Sequence, residues 1–225
     1  MALLGKAVLA MWWDVSAESR PELEHWHAHE HFPERLALPG FRRASRWTAV
    51  DGGEGFFVMY ELEDHTVLAS APYVARLNAP SAWSTRMMPL HRGMVRSQCK
   101  VLHSRGAVTA RHALTIRLSA LDAQALQRGL EELGAVVTQQ PGLVGLHLLR
   151  HEAPALATTT EQKIRGDADR AADWVIVACG YDLAALRRLE AVELAEPALR
   201  TLGAAPGTER RFFGLAYSAT PPDVH

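Results

Sequence analysis

Two spacings of apolar residues alternate along this chain. Short runs rich in β-branched and aromatic residues, bounded by Gly, Pro, Asp or Asn, read as strands: KAVLAMWW (6–13), GFRRASRWTAV (40–50), GFFVMYEL (55–62) and GMVRSQCKVLH (93–103). The glycine-rich DGGE (51–54) joins the second and third as a hairpin connection. Between strands lie helical stretches, residues 19–31 and 64–77, the latter with Asp64 placed as an N-cap. The same order then returns. HALTIRLS (112–119), GLVGLHLLR (142–150), DWVIVACGY (173–181) and RRFFGLAYS (210–218) are strands. Residues 121–138 form a helix with Leu126, Leu130, Leu133 and Val137 at helical spacing, and helical turns over 182–202 break near Pro197. Pro39-Gly40 and Pro141-Gly142 stand at the same place in the two halves, as in a duplicated unit.

A βαββαβ unit folds as a four-stranded antiparallel sheet with helices on one face, the ferredoxin-like plan. The strands here are apolar on both sides: Phe56, Val58 and Tyr60 point one way, Phe57 and Met59 the other. Two sheets can therefore cover each other. The expected fold is α+β, with two tandem ferredoxin-like units, residues 1–105 and 106–225, packed sheet to sheet as an internal pseudo-dimer. A cavity is expected between the sheets or between sheet and helix.

The most distinctive stretch is HWHAHEHFPERLALPGF (25–41). On a helix at 3.6 residues per turn, with Leu23 at the centre of the buried face, Trp26, His27 and Glu30 fall within about 60° of it and His31 at about 80°. His25 and His29 fall opposite, toward water. Pro33 favours an extended Phe32, so the helix is expected to end near His31. His31 should be at least partly buried beside Trp26, with one ring nitrogen bonded and the other open to a cavity. Histidine suits acid–base work because its ordinary pKa is near neutral. The competing reading is that Glu30 and His31 bond to backbone or to Arg35 and merely pin the helix end. Five of six tryptophans (Trp12, Trp13, Trp26, Trp47, Trp83) lie in the first half, and polar groups converging among aromatics typify a small-molecule pocket. Trp12, Trp26, Trp83 and Tyr60 are candidate ligand contacts. Arg46 is another, since its planar fork matches a carboxylate or phenolate. The site is assigned to the first half; the second serves as scaffold and partner.

Composition narrows the classes. The chain has 225 residues, 48% hydrophobic and 22% charged, with formal net charge −1 and no basic stripe, which argues against nucleic acid as a partner. Cys99 and Cys179 sit far apart in apolar runs and read as buried thiols of a reducing compartment. Lys6 interrupts the apolar amino terminus, which reads as a strand, not a signal peptide, and no run approaches the ~20 apolar residues that cross a bilayer. A cytoplasmic protein without a membrane partner is expected. There is no dinucleotide fingerprint and no Gly-x-Ser-x-Gly elbow, and Gly52, Gly53 and Gly55 suit a turn instead of a phosphate loop. No second helix offers histidines to complete a metal site with His27, Glu30 and His31, so no metal is assigned. TTTEQKIRGDADRAADW (158–174) reads as a polar surface excursion, partly helical.

The stretches LEHWHAHEHFPERLALPGFRRASRW, FFVMYELED, SAPYVARLNAPSAWSTR and TTEQKIRGDADRAADWVIVACGYD together resemble the dimeric α+β barrel superfamily, and within it EthD-like proteins. The motif is Trp26, Glu30, His31, Pro33, Glu34, Arg35, Pro39 and Gly40. That superfamily includes lactone isomerases, polyketide cyclases, small monooxygenases and haem proteins, so fold analogy does not choose a reaction. The resemblance implies a cofactor-independent enzyme acting by proton transfer on a small cyclic or aromatic molecule. His31 would be base or acid, with Glu30 or His27 orienting it. The rivals are a carrier or sensor using the same cavity, and a haem protein with His31 or His147 as axial ligand. Exposed strand edges or apolar helix faces leave room for a homodimer.

Overall fold

Eight antiparallel strands close on themselves in the computed structural model, which describes residues 2–166 and 170–224. They are β1 (Ala7–Asp14), β2 (Phe41–Ala49), β3 (Gly55–Leu62), β4 (Arg92–Gly106), β5 (His112–Leu118), β6 (Leu143–His151), β7 (Trp174–Gly180) and β8 (Glu209–Ala219). The ring order is β1-β3-β2-β8-β5-β7-β6-β4. Within it, β4-β1-β3-β2 and β8-β5-β7-β6 are the same ferredoxin-like order written twice. The two sheets face each other as expected, and they also join at both edges. β2 pairs with β8 through Ala44↔Ala219 to Ala49↔Phe213. The long β4 serves β1 with its first half and β6 with its second. Closure leaves no unpaired sheet edge among the described residues, which removes the usual site of edge-to-edge association.

Strand alternation sorts the side chains into three apolar layers. Val8, Ala10, Trp12, Phe57, Met59, Val175, Val177 and Cys179 fill the barrel. On the outer face of the first sheet, Leu9, Met11, Trp13, Phe56, Val58 and Tyr60 meet the helices of that half. On the second, Leu114, Ile116, Leu146, Leu148 and Ile176 meet theirs. Each large side chain so buried stabilises the fold by about 1.5–3 kcal/mol relative to exposure. Both cysteines are buried and unbridged in the barrel, and burial pushes each thiol up to about 12. The barrel also holds one buried ion pair, Arg43 gripping Glu61 at 2.6 and 2.8 Å.

The first sheet is covered by α1 (Arg20–Trp26), a π-helical turn (His27–His31), α2 (Phe32–Leu36), α3 (Ala71–Asn78) and α4 (Ala82–Met87). The second is covered by α5 (Ala123–Val137), α7 (Leu183–Ala191) and α8 (Glu196–Thr201). Asp122 and Asp182 cap α5 and α7 by accepting from the first free amides. Asp64 does the same for a short 3₁₀ turn, and α3 begins afresh after Ser70, so residues 64–77 are two elements where one was expected. The duplicated turns match closely: Gly40 has φ +88° and Gly142 φ +90°, a conformation only glycine adopts freely. No helix among the described residues is long and apolar enough to cross a membrane.

The polar segment after β6 is largely exposed or half-buried and partly helical, as expected, but it buries Glu161 and Thr159 against the first half. α6 (Thr160–Arg165) crosses back to the first half, where Glu161 is only 3% exposed. A capping box at Thr159 and Gln162 starts the helix, and Asn78 of α3 accepts from the Thr160 amide. Residues 167–169 of the excursion lie outside the described residues.

Candidate functional site

The site is built on a helix that does not stop where proline predicted. His31 (φ −70°, ψ −43°) and Phe32 (φ −68°, ψ −46°) stay helical, and the helix continues through Pro33 to Leu36. Proline lacks an N–H and its ring collides with the carbonyl four residues back. Here the chain widens by one residue instead of ending: the Phe32 amide donates to the His27 carbonyl, five residues earlier. The extra residue resets the helical phase. His27 and His31 come to lie over one another, ring centroids 5.5 Å apart and planes within 14°. Both are buried. Trp26 packs on His31 at 4.3 Å, and the edge of Trp13 meets His27 at 5.7 Å.

Glu30, by the same shift, faces α4. Its Oε1 accepts from Trp26 Nε1 (3.0 Å), Ser81 Oγ (2.5 Å) and Ser84 Oγ (3.3 Å). It pins the helix and does not line the cavity.

A cavity of about 220 Å³ lies between this helix and the first sheet. Its floor is Leu9, Met11 and Trp13 of β1, Tyr60 of β3, and Met94, Arg96 and Gln98 of β4. One wall is His27, His31 and Arg35; another is Tyr73 and Leu77 of α3, with Met88 and His91 beyond. The roof comes from the second half: Ala153, Pro154, Leu156, Ala157, Thr159, Glu161, Gln162 and Arg165. Glu161 meets Arg35 at 2.5 Å, a buried ion pair spanning the two halves.

Electrostatics at the deep end favour uncharged rings. Burial, then the positive charge of Arg46, holds His27 well below its ordinary pKa; burial, then Arg35, does the same for His31. Both imidazoles are neutral at pH 7. Burial pushes the Tyr60 phenol up, so it keeps its proton. Five buried polar atoms at this end form no hydrogen bond within the protein: Trp13 Nε1, His27 Nδ1, His31 Nδ1, Arg35 Nη1 and Tyr60 Oη. Each such atom costs about 1–3 kcal/mol when left unsatisfied.

Of the residues singled out from sequence, His27, His31 and Tyr60 line the cavity, and Trp26 backs it. Trp12 points into the barrel, where its Nε1 donates to Thr115 at 3.1 Å. Arg46 lies behind the wall: it donates to the Glu24 carbonyl at 3.0 Å and sits over Phe56. Trp83 packs on His25 at 5.3 Å, outside the cavity. His25 and His29 are exposed, as their phase predicted. Sequence reasoning missed Trp13, Tyr73, His91, Glu161 and the wall position of Arg35. Trp13 was signalled by alternation, since it points opposite to Trp12; Glu161 had no local signal.

Neither rival cofactor fits these residues. Both ring nitrogens of His147 are engaged, Nδ1 with Ser104 Oγ at 2.9 Å and Nε2 with the Ala107 carbonyl at 3.4 Å, and it does not reach the cavity. His31 does reach it, but a tetrapyrrole exceeds a space nearer to the ~150 Å³ that holds one benzene ring. Among the described residues, no three His, Cys, Asp or Glu side chains converge on a metal position.

No protein-family model matches the chain, and no curated protein matches it by sequence. Solved structures do. The chain is similar to an anthrone oxidase-like protein, with 12% identity and TM-score 0.65 over 100% of this chain and 98% of the other. It is similar to a candidate monooxygenase from Fusobacterium nucleatum, with 6% identity and TM-score 0.62 over 97% and 96% of the two chains. It is also similar to a haem-binding protein from Thermus thermophilus, with 10% identity and TM-score 0.50 over 96% and 93%. At these identities the likeness carries the fold alone: this is a dimeric α+β barrel, built from one chain.

Proposed function

We propose that the first repeat, residues 1–105, carries a site that binds a small oxygenated ring compound and moves a proton on it without a cofactor, with the second repeat supplying the roof. The observation that supports this most is the set of five unbonded polar atoms on residues of the cavity's floor and facing wall. A ligand with two oxygen functions satisfies Trp13 Nε1 and Arg35 Nη1, which can only donate, while a neutral imidazole accepts a proton. A volume of about 220 Å³ holds one substituted ring.

In this reading a C–H or O–H bond of the ligand breaks, its proton passes to the His31 ring, and the electron pair stays on the ligand as an enolate or phenolate. Arg35 and Trp13 face the oxygen on which that charge develops, and His27, stacked beneath His31, holds the ring in place. Fixed donors of this kind act strongest where water is excluded. The anthrone oxidase-like and monooxygenase neighbours are compatible with such a ligand.

Exchange in D2O tests the proposal. The protein should accelerate loss of the acidic C–H proton of an enolisable cyclic ketone, followed by NMR. His31→Ala should abolish this with the fold intact, and His25→Ala and His29→Ala should leave it unchanged. Ligand binding with no exchange in the wild type would reduce the site to a carrier. Exchange that survives His31→Ala would remove His31 from the role.

A further inference from the structure

We infer that Glu161 determines which charge state of ligand the cavity accepts: by matching Arg35 from the opposite repeat, it selects an uncharged ring ligand over a ring carboxylate. This rests on the reading above that the cavity binds such a ligand. Arg35 and Glu161 are each 3% exposed, and their 2.5 Å contact is sealed within the cavity wall. A second carboxylate, Glu34, lies 4.0 Å from Arg35 Nη1 and shares itself with Arg76 at 3.4 Å. The guanidinium therefore has its counter-charge before any ligand arrives.

The remaining wall cations, Arg96 and Arg165, are only half-buried, where water screens them, and Arg96 donates to Tyr73 Oη at 3.0 Å. A carboxylate entering the deep end gives up its hydration, and the buried cation lining the cavity, Arg35, already has its partner. It also brings its charge close to Glu161. An uncharged carbonyl or hydroxyl meets no such cost, and still accepts from Arg35 Nη1 and Trp13 Nε1, both donors without a hydrogen bond. The specificity determinant thus lies 126 positions from the residue it acts on, in the repeat that does not carry the cavity histidines.

Benzamide and benzoate are near-isosteres that differ in charge, and calorimetric titration of both into the full chain at pH 7 tests the inference. Wild type should bind benzamide more tightly. Glu161→Gln keeps the shape and one acceptor but removes the charge, and should shift the affinity ratio toward benzoate by about tenfold or more. Glu161→Asp should keep the wild-type order. A wild type that prefers benzoate overturns the inference, even if Glu161→Gln does not fold. So does a ratio that Glu161→Gln leaves unmoved while both probes bind, and in that case the ligand-site reading survives. Binding of neither probe to wild type or variant overturns both.

Discussion

Over the second sheet, α5 lays Leu126, Leu130 and Val137 on Leu146, Leu148 and Ile176, every one of them at most 1% exposed. Over the first sheet, at the same layer of the same fold, the π turn lays His27 and His31 against Trp13 and faces Tyr60 across a cavity. Both layers exclude water; the second leaves His103 Nε2 beside α5 and Arg210 Nη2 beside α7 without a hydrogen bond, whereas the first gathers five such atoms around one cavity. A solid apolar layer is what a repeat needs in order to fold. The first repeat departs from it at a cost of about 1–3 kcal/mol for each unpaired atom. Such departures from local consistency concentrate at functional sites. The contrast also explains why the roof comes from the other half. The second repeat has a finished core and spares the excursion after β6, whose Glu161 completes the wall that the first repeat leaves open.

The largest test of the contrast removes apolar mass from the finished layer. Leu130→Ala should cost about 2–5 kcal/mol, read from urea unfolding, because the cavity it opens is walled by rigid neighbours. It should leave the benzamide–benzoate ratio untouched. A change in that ratio would mean that the second layer shapes the site directly, and the division of labour between repeats would fail.

Acid unfolding sharpens the same contrast through the buried histidines. His27 and His31 in the first repeat are held well below their ordinary pKa, chiefly by burial, and His147 in the second is lowered to about 4, again chiefly by burial. Below pH ~6.5 the unfolded chain takes up protons that these native rings refuse, so stability falls as pH drops through that window. The slope is about 1.4 kcal/mol per pH unit for each histidine fully engaged. His112 and His151, also lowered chiefly by burial, act in the same direction; Glu34, raised by burial, opposes this, but it is one group against five. Denaturant midpoints measured from pH 7 to pH 5 should therefore decline, before ordinary carboxylates begin to protonate. A flat profile would mean that the cavity histidines are protonated in the native state.

How much of this was legible in the sequence depends on how local each cause is. The strands, the duplicated Pro-Gly turns and the Asp64 cap act over a few residues, and all were readable. The helical phase of Trp26, His27, His25 and His29 was readable too. Uniform phase failed at Glu30, because Pro33 widens the turn and so swings Glu30 to Ser81. Alternation distinguished Trp12 from Trp13 without saying which of them entered the barrel; that is decided by closure of all eight strands. The excursion looked like surface because its polar residues lack partners nearby. Glu161 finds Arg35 only in three dimensions, and no spacing rule relates positions so far apart.

The smallest effect is the most telling, because it makes one repeat resemble the other. Leucine at position 31 would replace a buried ring whose Nδ1 bonds to nothing with an apolar side chain of the kind α5 uses throughout. Removing an unsatisfied polar atom relieves its desolvation penalty, and the new side chain packs on Trp26, whose ring already lies 4.3 Å from the imidazole. His31→Leu should therefore raise stability by about 1 kcal/mol, seen as a higher urea midpoint with unchanged slope. It should also flatten the acid profile by the share of one histidine and abolish proton exchange on the ligand. Gain of stability with loss of activity is the signature of a group kept for chemistry and not for packing. If His31→Leu instead destabilises by a kilocalorie or more, the imidazole is a packed and partnered core residue, and the two repeats differ in sequence without differing in kind.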